Sequence, residues 1–201
     1  MKTAKTLLAL ALLVSLVACD PVPSLYPLFK EDEVVFEPEL LGEWGPEADR
    51  FNEDGEDARV AFKFEKSGDR AYKLTMFDDK PGSRSVYEVH LARLGGYLFL
   101  DAVLQGQYVN DNRVEVAPVI VPAHLFGRIE FDHDTLRIAM LDDEWLAKAI
   151  EDGRVQLRHE KVGGDILFLI APTADLQEFA MHYATDEEAF SLKTDEMHRV
   201  R

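Results

Sequence analysis

The chain has 201 residues, with 22 Lys and Arg against 38 Asp and Glu, and a formal net charge of −16. Neutralising a phosphate backbone needs a basic patch, so this balance excludes nucleic acid as a partner. With 47% hydrophobic residues the chain is globular rather than disordered, and its single cysteine excludes an intramolecular disulfide and any Cys-rich metal centre.

The chain opens Met1-Lys2-Thr3-Ala4-Lys5 and continues as an apolar and small-residue run from Thr6 to Ala18. Two lysines ahead of such a run are the charged and hydrophobic regions of a secretory signal peptide, here residues 1–18. The run falls short of the roughly 20 apolar residues that a membrane-spanning helix needs. It ends in Leu16-Val17-Ala18-Cys19, which resembles the lipobox of bacterial lipoproteins. The resemblance implies cleavage before Cys19, a diacylglyceryl group on its thiol and palmitate-type acylation of the new amino terminus. Two or three such chains make a stable anchor where one holds only marginally. Asp20 resembles the residue that retains enterobacterial lipoproteins in the inner membrane, which implies the periplasmic face of that membrane. Removing residues 1–18 takes away Lys2 and Lys5 and moves the net charge from −16 to −18. Anionic headgroups repel such a surface, so the lipid and not the protein surface is expected to hold the chain to the membrane.

Residues 19–33 carry Pro21, Pro23 and Pro27 and no hydrophobic period, which reads as a lipidated N-terminus and a stiff tether. Leu25, Tyr26, Leu28 and Phe29 suggest that part of it packs on the domain. The spacing Cys-x-Pro-x-Pro-Ser-Leu-x-Pro-Leu over residues 19–28 also looks like that of other bacterial lipoproteins, and implies location and a single β-rich domain, with no activity to carry over.

From residue 34 to 201 short apolar runs alternate with turn residues, the pattern of a mostly-β domain: an antiparallel meander of about eight or nine strands forming a barrel or a sandwich. Arg59–Lys66 alternates Val60, Phe62 and Phe64 with polar residues, and Arg70–Phe77 does the same with Tyr72, Leu74 and Met76. Pro81-Gly82 turns the chain into Arg84–Arg93, and Gly95-Gly96 makes a tight turn into Tyr97–Leu104. Gly106–Arg113 reads as a polar break. Ala117–Asp132 is the longest run, with Pro118 and Pro122 marking its first half as an edge. Asp132-His133-Asp134 connects it to Leu136–Leu141, and residues 155–161 and 165–171 form one more hairpin around Gly163-Gly164.

Two or three short helices are expected towards the C-terminus. Asp142–Asp152 stripes Trp145, Leu146, Ala149 and Ile150 and is followed by Gly153. Thr173–Tyr183 follows Pro172, with Thr173 as its cap and Leu176, Phe179 and Ala180 facing inward. Thr185-Asp186-Glu187-Glu188 fits a capping box for a third. Met197–Arg201 read as frayed.

Pro38-Glu39-Leu40-Leu41-Gly42-Glu43-Trp44 resembles the entry to a lipocalin barrel, where a short helical turn leads into Gly-x-Trp on the first strand. The resemblance implies an eight-stranded up-and-down barrel with Trp44 at its closed end. The order departs from that family, whose main helix follows the eighth strand and whose paired cysteines are missing here.

The residues give no signature of catalysis. No serine sits in Gly-x-Ser-x-Gly, and Cys19 is expected to be acylated. The six histidines (His90, His124, His133, His159, His182 and His198) show no metal-ligand spacing. The acidic stretch Asp49–Asp57, aligned on Gly55 as a calcium loop, has Arg50 and Ala61 where the two main carboxylates belong. With Tyr87, Val89 and Leu91, and Gly127, Ile129 and Phe131, facing the core, Glu88, His90, Arg128 and Glu130 fall on the wet face. The expectation is therefore a non-catalytic, lipid-anchored envelope protein, without cofactor or metal, that binds a small apolar ligand or a protein partner. Trp44, Phe62, Phe64, Tyr72, Met76 and Phe99 are its candidate ligand-lining residues. The alternatives are an assembly protein that pairs an edge strand such as Ala117–Val121 with another envelope protein, and a membrane-surface enzyme whose histidines and carboxylates meet only in the fold.

Overall fold

A computed structural model describes residues 21–46, 61–77, 82–114, 123–163, 166–194 and 196–200. In chain order the strands are β1 (Pro23–Ser24), β2 (Val34–Val35), β3 (Gly42–Pro46), β4 (Phe62–Ser67), β5 (Ala71–Phe77), β6 (Ser83–Leu94), β7 (Tyr97–Val109), β8 (Asn112–Val114), β9 (His124–Phe131) and β10 (Thr135–Met140). Helix α1 (Asp143–Glu151), strands β11 (His159–Val162) and β12 (Ile166–Leu169), helix α2 (Thr173–His182) and strands β13 (Leu192–Lys193) and β14 (Met197–Arg199) complete the chain.

Eight strands close a ring. Each of β3 to β7 pairs antiparallel with the next, β7 pairs with β9, β9 with β10, β10 with β14, and β14 returns to β3. This is an up-and-down, lipocalin-like barrel rather than a sandwich, and closure removes the free edges a meander would otherwise expose. The turns that permit it are short. Gly95 and Gly96 have φ of 56° and 89°, the left-handed pair that a two-residue hairpin requires. Asn110 and Asp111 do the same at φ 49° and 64°. That second turn corrects the reading of Gly106–Arg113 as a break: the stretch carries β7 to its end and returns it as β8, because Asn and Asp tolerate the left-handed region. Val86 and Tyr87 face Gly106 and Leu104, so Gln105 is the extra residue of a bulge.

Alternation sends one set of side chains into the barrel. Leu40, Trp44, Phe64, Tyr72, Val89, Leu91, Ile129 and Leu136 form the buried centre of that inner core. A second core lies outside. Phe99, Phe126, Ala92 and Leu94 leave the barrel's outer face and pack against Leu146 and Ala149 of α1, Leu176, Phe179 and Ala180 of α2, and Leu167 and Leu169 of β12. Each fully buried Leu or Phe contributes roughly 1.5–3 kcal/mol of transfer free energy, so a barrel wall that buries both faces is well held. The insertion between β10 and β14 supplies this second layer.

Helix α1 matches expectation, with the Asp142 carboxylate accepting the Trp145 N–H at 2.8 Å. Helix α2 differs at its start. Pro172 is the cap position, and Thr173 donates its hydroxyl to the Pro27 carbonyl (2.8 Å) instead of capping. The stretch 185–188 forms a turn and not a third helix. Asp186 accepts the N–H groups of Glu188 and Ala189, but the turn stops at a buried Phe190, whose side chain belongs to the outer core. Met197–Arg199 is not frayed: it is the strand that closes the barrel.

The segment read as a tether, residues 19–33, joins the sheet from Pro23. β1 pairs antiparallel with β9 and parallel with β12, joining the barrel to the inserted hairpin. Leu28 is buried and Phe29 packs beside it, whereas Tyr26 stays exposed. Residues 1–20, the acidic stretch Asp49–Asp57 and the edge Ala117–Val121 lie outside the described residues.

Candidate functional site

One end of the barrel is locked by Arg199, near the C-terminus, against Gly42 and Trp44 of β3. The Arg199 guanidinium carbon sits 4.2 Å above the Trp44 ring centre. Its nitrogens donate to the carbonyls of His133 (2.7 Å), Leu41 (2.8 Å) and Glu39 (2.6 Å). Gly42 makes room. A Cβ there would lie 2.6 Å from Arg199 Nη1, and its φ of 132° favours glycine independently. Trp44 in turn donates its indole N–H to the Leu40 carbonyl at 3.0 Å, fastening the single 3₁₀ turn Pro38–Leu40 across the opening. Next to it Tyr72 stacks on Phe36 with centroids 4.9 Å apart. The Tyr72 hydroxyl accepts the Glu37 N–H at 2.6 Å. Burial pushes the Tyr72 phenol up to about 12, and the nearby Glu37 carboxylate pushes in the same direction against the opposing hydrogen bond from the Glu37 backbone.

Towards the other end the barrel holds an apolar cavity of about 140 Å³. Phe62, Leu74, Met76, Tyr87, Leu100 and Ala102 supply one side of its wall. Leu125, Ile138 and Met140 supply the other, and Pro21 and Thr194, neither of them on a barrel strand, complete it. Apolar cavities of roughly this size stay dry and admit guests the size of benzene. Sites for drug-sized ligands are larger, about 300–1,000 Å³.

The six residues singled out as ligand-lining therefore separate into three groups. Phe62 and Met76 line the cavity. Trp44, Phe64 and Tyr72 fill the locked end of the same interior. Phe99 points the other way, into the outer core against Phe190 at 6.0 Å, because ahead of the bulge the even-numbered residues of β7 face inward and the odd-numbered ones outward. Leu100, Leu125 and Met140 were missed. The signal for Leu100, Leu125 and Met140 was the alternation itself, counted from Leu98, Ile129 and Leu136.

A polar cluster lies on the outer wall, beneath the N-terminal segment. Asp101, 2% exposed, accepts the Leu28 N–H at 2.8 Å through Oδ2, and its Oδ1 lies 2.6 Å from His124 Nδ1. Ser24 is the cross-strand partner of His124, so serine, histidine and aspartate are neighbours. The serine is not placed to act as a nucleophile. It is wholly buried, and its hydroxyl donates to the Tyr26 carbonyl at 2.9 Å. This is a clasp that fastens residues 24–28 to the barrel wall. His90, opposite Asp101 on β6, is covered by Phe29 at 4.7 Å.

Among the described residues no three His, Cys, Asp or Glu side chains are grouped so as to hold a metal ion. No described helix is long and apolar enough to cross a membrane. Comparison with models of protein families, with curated proteins and with solved structures finds no match to this chain.

Proposed function

We propose that this is a lipid-anchored bacterial envelope protein, held at the periplasmic face of the inner membrane through Cys19 and Asp20, whose barrel binds a small apolar ligand without catalysis. The observation that carries the reading is the cavity of about 140 Å³, walled almost entirely by hydrocarbon and aromatic side chains. A well-packed interior leaves few voids larger than a water, and an apolar void is a site where guest atoms regain contacts that its lining lacks. The ligand class is an alkyl or aromatic group no larger than a benzene ring or a few methylenes. The test uses residues 20–201 purified without lipid. Saturating benzene, cyclopentane and butanol in turn should raise the melting temperature for at least one, and Ala102→Phe should abolish the rise. Failure of all three to shift the wild-type protein refutes the reading.

A second reading, partner assembly through a sheet edge, is favoured by β11. Among the described residues it ends the sheet, and the cross-strand pair Val162 and Ile166 at its hairpin tip is 50% and 57% exposed. Chemical cross-linking in intact envelopes with a probe at position 160 would capture one defined partner if β11 pairs, and Val162→Lys would abolish that capture.

A further inference from the structure

We infer that the occupant of the barrel cavity in the anchored protein is one of the chain's own acyl groups, carried on Cys19. The inference rests on the lipoprotein reading and extends it to the cavity. Pro21, outside the barrel strands, is one of the residues that border the cavity. Cys19 is two residues upstream, and two extended residues span at most about 7 Å between Cα atoms. A group attached there is therefore tethered beside the cavity, at an effective concentration of roughly millimolar order. The cavity's chemistry agrees, since its wall offers hydrocarbon and two methionines, Met76 and Met140, whose unbranched side chains can rearrange around an alkyl chain. Its size agrees as well: at a water-sized share of roughly 30 Å³ per group, about four or five methylenes fit, a short stretch of one chain rather than a whole lipid. A methylene gains nothing hydrophobic by leaving a bilayer for a protein. What favours the transfer is the void, whose lining gains dispersion contacts only when it is filled. One chain would then sit partly in the protein while the remaining chains hold the membrane.

The test uses the full chain, matured in bacteria fed a palmitate analogue that carries a terminal diazirine, irradiated in intact envelopes and digested for mass spectrometry. The expected product joins the lipidated Cys19 peptide to a peptide containing Met76, Leu125 or Met140. Its yield should fall at least fivefold in Ala102→Phe, whose ring fills the cavity, or in Ala102→Leu if the larger side chain prevents folding. Adducts of free phospholipid on those peptides, cross-links of Cys19 chains only to bilayer lipid, or a yield unchanged by the filling substitution each overturn the inference. The intact mass separates the two levels. Cys19 without acyl groups refutes the lipoprotein reading and this inference with it, whereas acylated Cys19 without the cavity product refutes this inference alone.

Discussion

Replacing Arg199 by alanine should unfasten the locked end of the barrel. Arg199 makes three hydrogen bonds, to the carbonyls of Glu39, Leu41 and His133, and a cation–π contact with Trp44. A hydrogen bond from a charged donor contributes about 1.5–3 kcal/mol when buried; with the guanidinium partly exposed, about 1 kcal/mol each is the reasonable figure. The cation–π contact adds about 0.5–1 kcal/mol. Arg199→Ala is thus expected to cost about 3–4 kcal/mol, a large share of a marginal total. With a urea slope near 2 kcal/mol per molar, the unfolding midpoint should fall by about 1.5–2 M. Arg199→Lys keeps the charge and loses the planar fork, so it should recover less than half of the loss. Paired with Trp44→Leu, a double-mutant cycle should return a coupling of about 0.5–1 kcal/mol. The assay is urea unfolding of residues 20–201 followed by tryptophan fluorescence and circular dichroism. An alanine variant within about 1 kcal/mol of wild type, or a lysine variant equal to it, refutes the reasoning.

Three other outcomes follow from the same structure. Gly42→Ala should destabilise by about 2 kcal/mol or more, because the new methyl meets Arg199 at a left-handed φ; equal loss in an Arg199→Ala background would show that strain and not contact is responsible. Asp101→Ala leaves the Leu28 N–H and His124 without their acceptor and should cost about 2–3 kcal/mol in urea unfolding, with amide exchange at Leu28 accelerating ahead of the barrel strands. Alkaline stability tests Tyr72. Its folded-state value of about 12 exceeds the ordinary value of 10, so the contribution is present in full below pH 10 and is lost as the pH rises to 12. The loss approaches 3 kcal/mol, and the slope of unfolding free energy against pH over that window should flatten in Tyr72→Phe.

The barrel was legible where one face is wet and the other dry. β4 and β5 alternate Phe62, Phe64, Tyr72, Leu74 and Met76 with Lys63, Glu65, Lys73 and Thr75, and period-2 patterning then dictates both strand and facing. Phe99 was assigned to the wrong side because Phe99, Leu100, Asp101 and Ala102 are all buried. A strand covered on both faces has no alternation to read, and the covering layer comes from helices some 45–80 residues further along the chain. The lock was half legible. Gly42 and Trp44 announce a barrel entry, but nothing local in Met-His-Arg marks Met197–Arg199 as the strand that closes the ring. Its pairing partners, β3 and β10, are what make it a strand. The cavity was not legible at all, since a void is set by the volumes of side chains on several strands at once.

The N-terminal segment changes meaning once its partners are known. As a tether of some fifteen residues it would let the domain swing free of the membrane. In the structure Pro21 bridges Asp142 and borders the cavity, and the chain is held through β1, the Ser24 turn and the Asp101 clasp to Leu28. Cys19 lies two residues before Pro21 in sequence. If acyl chains sit on Cys19, the cavity's border is therefore held within one or two residue lengths of the lipid, and the barrel is fixed against the bilayer rather than suspended from it. The charge of the surface then has a role. If residues 1–18 are also removed, the resulting net charge of −18 would repel anionic headgroups, and a short anchor working against that repulsion would keep the domain from lying flat on the membrane. Lengthening the link separates these effects: ten Gly-Ser residues inserted after Asp20 should leave folding and anchoring unchanged. They should also reduce the cross-linked product between the Cys19 lipid and the cavity, because the local concentration of the tethered chain falls with linker length. A product yield indifferent to the insertion would show that the position of Pro21 at the cavity is incidental.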